Sequence, residues 1–122
     1  NQFLFDPLKN NQDLPIQLSC ESIEIKEKET WGSHQAALDR RMLKKPLSLR
    51  KSIKGDYFYP TGMKGKKLLS KFFKDEKYSL LEKEQQWLLC SENKIVWVIG
   101  KRCDRRFIAT KNTKKALLIT VV

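Results

Sequence analysis

The stretch GDYFYPTGMKGKKLLSKFF, Gly55 to Phe73, decides how the chain folds. Its first half holds the glycines and a proline, residues that set turns. Its second half has helical periodicity. Leu68, Leu69, Phe72 and Phe73 fall on one arc of a helical wheel and Lys67, Lys71 and Lys74 on the opposite one. Just beyond, SLLEKEQQW carries Ser79 with Glu82 three residues on, the pattern of a capping box opening a second short helix. Outward on the C-terminal side, WLLCSENKIVWVIG reads as two strands about the turn SENK, and RRFIAT and ALLITVV as two more. On the N-terminal side, AALDRRMLKKPLSLRKS reads as one or two short strands interrupted at Pro46, because the residue before proline is held extended. IQLSCESIEIK alternates as a strand until Ile23 and Ile25 fall out of phase with Ile16, Leu18 and Cys20, which predicts a bulge near Ser22. ETWGSHQ reads as a loop, and residues 1–15, with Pro7, Pro15 and the run KNNQD, as a lead-in. Strands, then helices, then strands predict an α+β fold: antiparallel or mixed β-sheets, with one or two helices following the glycine-rich turn. Residues 1–45 are read as a strand-and-loop lead-in to the same unit, and 46–122 as its main body.

The 122 residues suffice for one domain with one core, and 40% hydrophobic with 10% aromatic residues argues against global disorder. The first residue is Asn1, not methionine, which suggests a piece of a longer protein. No apolar run approaches the roughly 18 residues of a membrane span. Cys20, Cys90 and Cys103 are odd in number and far apart, so a reducing, cytoplasmic setting is expected. The net charge is +11, and it is uneven. Residues 1–39 hold 3 basic and 7 acidic side chains, residues 40–80 hold 13 and 3, and residues 81–122 hold 9 and 4. This field on the middle and end of the chain suits a polyanion, nucleic acid foremost, although a lysine-rich soluble surface would give the same total.

Little in the chain offers covalent chemistry. One histidine, His34, and no recognisable ligand spacing argue against a metal site, and nothing local joins His34 to Cys103 as a nucleophile pair. A Walker A phosphate loop needs four residues between its glycines and a hydroxyl after the lysine. Gly62 and Gly65 are three apart, and Gly65 is followed by Lys66 and Lys67. GMKG is closer to the G-x-x-G turn with which KH domains hold single-stranded nucleic acid, where backbone and helix N-terminal amides meet phosphate. The apolar helix that should precede such a turn is replaced by YFY. A plain turn with solvated lysines remains the alternative.

Two motifs together resemble one family. PLSLRKSIKGDYFYPTGMKGKKLLSKFF is similar to L-[ST]-L-R followed by G-D-x-F-x-P-x-G-M-x-G-x-K-x-L-S in the C-terminal domain of tRNA(Ile)-lysidine synthases. IVWVIGKRCDRRF resembles the strand and R-x-D-x-R-F that follow in that domain, with Arg102, Asp104, Arg106 and Phe107 in the matching places. The likeness covers residues 46–110 well and 1–45 weakly. Lys71 departs from it, standing where an acidic residue is common. The resemblance implies a parent enzyme that uses ATP and magnesium to join lysine to the wobble cytidine of a CAU-anticodon isoleucine tRNA. It also implies that catalysis belongs to an N-terminal domain with an SGGxDS loop, which this chain lacks. The chain itself would then be a tRNA-binding module without catalytic, cofactor or metal residues, inactive alone, joined to that catalytic domain, with a second copy of itself, as a homodimer, a further candidate partner. The alternatives are a generic KH-like RNA-binding module, or a dimerisation or protein-interaction domain whose charge is incidental.

On this reading Arg50, Lys54, Lys64, Lys66, Lys67 and Lys71 line one phosphate-facing surface, and Arg102, Arg105 and Arg106 a neighbouring one. Gly55, Asp56, Phe58, Pro60, Gly62 and Gly65 shape the turn, Asp56 as an acceptor, and Phe107 and Asp104 belong to the second motif. Strand alternation would also let Asp104 pair with both Arg102 and Arg106 as a structural network. Tyr57, Phe58 and Tyr59 are expected in packing rather than as base-stacking platforms, and Trp87 and Trp97 in the core.

Overall fold

A computed structural model describes residues 2–9, 13–26 and 30–122. The run at 10–12 and the first residue of the expected loop at 29–35 lie outside the described residues. The order is β1 (Gln2–Phe5), β2 (Leu18–Glu24), β3 (Gln35–Asp39), a 3-10 turn (Arg40–Met42), β4 (Leu47–Arg50), β5 (Tyr57–Phe58), β6 (Lys67–Leu68), α1 (Leu69–Asp75), α2 (Leu80–Gln85), β7 (Leu88–Ser91), β8 (Lys94–Val98), β9 (Arg102–Cys103) and β10 (Lys115–Val121). This is an α+β fold with antiparallel pairing throughout. A five-stranded sheet runs β1-β4-β7-β8-β9, a three-stranded sheet β2-β10-β3, and β5-β6 form a two-stranded ribbon.

The five-stranded sheet is covered on both faces, which explains the nearly unbroken apolar runs of β7 and β8. Leu49, Leu89 and Trp97 meet Ala36, Leu38, Leu117 and Ile119 of the three-stranded sheet. On the other face Leu88, Cys90, Ile95 and Val98 meet Phe58, Leu69, Phe72 and Phe73. A bulge makes this division possible. Leu89 pairs with Trp97 and Cys90 with Ile95, so Val96 is an extra residue and both Val96 and Trp97 face the sheet-to-sheet core. Trp97 is fully buried, whereas Trp87 is half-buried under an edge contact from Phe3 at 5.6 Å.

The expected bulge at Ser22 is absent: β2 pairs with β10 in unbroken register from Leu18–Val121 to Glu24–Lys115. Because β2 is an outer strand, Cys20 and Ile23 are each only half-buried, and alternation there carries little burial signal. RRFIAT is not a strand either. Its backbone makes turns, with one isolated bridge between Leu38 and Ile108. The first helix begins after Leu68, not with it. Pairing of Tyr57 with Leu68 makes that leucine part of the ribbon, 44% exposed, while Leu69, Phe72 and Phe73 form the buried stripe. The second helix has the capping box: Glu82 N–H donates to Ser79 Oγ at 3.1 Å and Ser79 N–H to Glu82 Oε1 at 2.9 Å.

Candidate nucleic-acid interface

The glycine-rich segment is built around a buried ion pair. Arg50, at the end of β4, donates from Nη1 to Asp56 Oδ2 at 2.9 Å and from Nη2 to Asp56 Oδ1 at 3.0 Å. Its Nε donates to Asn93 Oδ1 at 2.9 Å in the turn between β7 and β8. Asp56 also accepts the Ile53 amide at 2.8 Å, closing the turn that ends at Gly55. Arg50 is 6% exposed, so it lies inside the molecule and not on the surface where the sequence placed it. The contact with Asp56 raises its already high pKa further.

The same segment is then zipped to the second motif. Tyr59 N–H donates to Asp104 Oδ2 at 2.9 Å, Arg105 N–H to Tyr59 O at 2.8 Å and Thr61 N–H to Cys103 O at 3.0 Å. Pro60 and Asp104 form a bridge. Asp104 is fully buried, and its Oδ1 accepts both the Arg106 amide at 2.8 Å and Arg106 Nε at 3.0 Å. Arg106 Nη2 completes the pair to Oδ2 at 2.9 Å. Arg102 does not join it: its Nη1 donates to Thr61 O at 3.3 Å, and its guanidinium lies 5.9 Å from the Phe72 ring centre. β9 ends at Cys103, so strand alternation does not extend to Asp104 and Arg106. Phe107 is buried in the sheet-to-sheet core.

Zipping gathers cations around two surface tyrosines. Tyr57 and Tyr59 meet edge-on with centroids 6.2 Å apart. Arg106 lies 4.3 Å and Arg105 5.3 Å from the Tyr59 ring centre, and Lys66 Nζ lies 4.7 Å from that of Tyr57. Such contacts contribute roughly 0.5–1 kcal/mol each at exposed sites and hold long side chains in place. Lys54 and Arg106 line one cleft of about 260 Å³ together with Tyr57 and Lys94. Phe58 between the tyrosines is fully buried against Phe72. Sequence reasoning foresaw packing for all three aromatics; alternation along β5 turns Tyr57 outward instead.

The remaining expected residues divide. Lys64 and Lys71 are exposed, Lys71 on the outer side of α1, without a contact that ties either to the tyrosine cluster. Lys67 is half-buried and ion-paired with Asp75, which holds that carboxyl below its usual pKa. Gly62 and Gly65 have φ of 78° and 72°, and a Cβ at either would meet nothing within 4 Å. The backbone conformation, not crowding, calls for glycine there, and it leaves the loop open to close approach. The loop leads into β6, not into a helix. The first amide of α1 is already bonded to Asp56 O at 2.8 Å and so is not offered to a phosphate. Among the described residues no three His, Cys, Asp or Glu side chains gather as metal ligands, and no helix is long and apolar enough to cross a membrane.

Three carboxylates near this face are thus paired within the chain: Asp56 by Arg50 and Asp104 by Arg106, both buried, and the exposed Asp75 by Lys67. Lys54, Lys64, Lys66 and Arg105 have no carboxylate within 4 Å among the described residues. The result is a group of uncompensated cations around the β5-β6 ribbon and its glycine-containing loop.

Comparison with known proteins agrees with the fold and the motifs. A family model described as TilS substrate C-terminal domain matches residues 47–119. A tRNA(Ile)-lysidine synthase of Parabacteroides distasonis is 44% identical over 96% of this chain, and one of Bacteroides thetaiotaomicron 37% identical over 93%. The chain spans about a quarter, 27%, of the length of each. A crystal structure of a TILS C-terminal domain superposes with a TM-score of 0.77 at 20% identity, covering 98% of this chain and 95% of that one, and shares the fold.

Proposed function

The chain belongs to the family of C-terminal domains of tRNA(Ile)-lysidine synthases, and from that premise we propose that it is the tRNA-contacting module of such a ligase. The parent would use ATP and magnesium, held elsewhere in its sequence, to join lysine to the wobble cytidine of the CAU anticodon of an isoleucine tRNA in the cytoplasm. This module holds the tRNA backbone and leaves the chemistry to the rest of the enzyme. One observation carries the reading: the two motifs are zipped so that their own carboxylates, Asp56 and Asp104, are buried in ion pairs while Lys54, Lys66 and Arg105 remain outward around Tyr57 and Tyr59. Structured RNA is read largely through its phosphates and 2′-hydroxyls, and a basic face over an open loop suits that task.

The test is a titration of the chain with isoleucine tRNA across salt concentrations. If about five phosphates are neutralised, log K falls with log salt at a slope near −4 to −5, and affinity drops by about 500-fold between 50 and 200 mM. Binding that ignores salt over this range would remove the phosphate-contact reading. The dimerisation alternative predicts a concentration-dependent mass and no such slope.

A further inference from the structure

The tripeptide Asp-Arg-Arg occurs twice, as Asp104-Arg105-Arg106 and as Asp39-Arg40-Arg41. The two copies fold alike. Asp39 is buried, 6% exposed, as Asp104 is. Its Oδ1 accepts the Arg41 amide at 3.0 Å and Arg41 Nε at 3.3 Å, and its Oδ2 accepts Arg41 Nη2 at 3.1 Å. The same three bonds hold Arg106 on Asp104 at 2.8, 3.0 and 2.9 Å. In each turn the second arginine is therefore neutralised by the buried aspartate. The first, Arg40 or Arg105, is exposed and has no carboxylate within 4 Å among the described residues. Arg40 does donate to Ser22 Oγ at 3.0 Å, but a hydroxyl leaves its charge uncompensated.

The turns are also neighbours. Asp39 N–H donates to Phe107 O at 2.9 Å, Ala109 N–H to Ala37 O at 2.9 Å, and Leu38 bridges Ile108. Beside Arg40, Lys44 and Lys45 line a small cleft of about 110 Å³, with Asp6 as its acidic member. Residues 39–41 lie before the segment that the family model matches.

We infer that the Asp39-Arg40-Arg41 turn extends the RNA-contacting surface, with Arg40 as a phosphate contact equivalent to Arg105, and Arg41 and Arg106 as positioning residues that hold their turns. This rests on the tRNA reading proposed above. Duplex RNA presents its phosphates as extended rows, and two adjacent turns of one design, each presenting a single unpaired guanidinium, fit such a row.

Binding of isoleucine tRNA by R40A, R105A, R41A and R106A, with salt slopes and melting curves, tests the assignment. R40A and R105A should each weaken binding about three- to tenfold and reduce the salt slope by about one, with little change in melting temperature. Their losses should multiply in the double variant. R41A and R106A should lower the melting temperature more than R40A and R105A do. If R40A keeps wild-type affinity and slope while R105A loses both, the second turn is not an RNA contact and the inference falls alone. If wild-type binding itself is insensitive to salt, the inference falls with the proposed function. K44A/K45A checks the surroundings of Arg40: unchanged binding there, together with unchanged R40A, excludes that end of the molecule.

Discussion

Arg50 offers a sharp test because its sequence context and its structure point to different roles. Replacing it with methionine keeps much of the apolar volume of the side chain but removes the guanidinium. Asp56, whose side chain is 9% exposed, would keep the Ile53 amide and lose both bonds to its cation. Asn93 Oδ1 would lose its donor as well. Removing one partner of a buried pair costs about 3–5 kcal/mol, because the other charge is stranded. For 122 residues the entropy of unfolding is about 0.26 kcal/mol/K, so that cost lowers the melting temperature by about 12–20 °C. Thermal unfolding followed by circular dichroism measures it directly. The double variant R50M/D56N should recover part of the loss, since no charge remains buried. A drop of less than about 4 °C in R50M, combined with a tenfold loss of tRNA affinity, would refute the reasoning and return Arg50 to the phosphate-facing surface.

Two further outcomes follow from titrating groups. The Arg41 guanidinium beside Asp39 holds its carboxyl below the ordinary range, so the pairing stabilises the fold above the unfolded carboxyl pKa of about 3.9 and is lost as pH falls through the lower folded value. Urea unfolding between pH 6 and 3 should therefore show a shallower acid loss of stability in D39N than in the wild type; parallel curves would deny the coupling. Burial pushes Cys20 and Cys90 up to about 11 and Cys103 to about 12. At pH 8 their thiolate fractions are then about 0.1% or less, against roughly a quarter for an ordinary thiol. Native protein should react with a disulfide reagent at least a hundredfold more slowly than protein in urea, and one thiol reacting at the free rate would contradict that placement.

Local signals predicted most elements well. The Ser79–Glu82 capping box, the strand pair about SENK and the break near Pro46 all rest on short-range chemistry, and short-range chemistry is what a sequence displays. What was hidden depends on pairing over long distances. The two-residue ribbon of β5 and β6 is too short for any periodicity, yet it turns Leu68 outward and delays α1 by a residue. RRFIAT has strand-like composition, but Asp104 folds its start into a turn by accepting the Arg106 amide. The bulge expected at Ser22 is absent, and the one at Val96 leaves no signal in the sequence, because both faces around Val96 are buried and no polar residue marks the slip. In the candidate site the basic composition was plain, but composition does not say which cations are neutralised. Arg50 and Lys67 have internal partners that only the fold brings near, at Asp56 and Asp75. The doubled Asp-Arg-Arg turn was visible as letters; its meaning lay in the burial of both aspartates.

The central claim is that tRNA lies across the ribbon and the two zipped motifs. Hydrogen exchange of the chain with and without isoleucine tRNA, resolved to peptides, tests it most directly. Slowed exchange is predicted at residues 53–67 and 101–106, with α2 and β1 unchanged. Protection confined to α2 and β1, with the Gly55–Lys67 segment exchanging as in the free chain, would contradict the account.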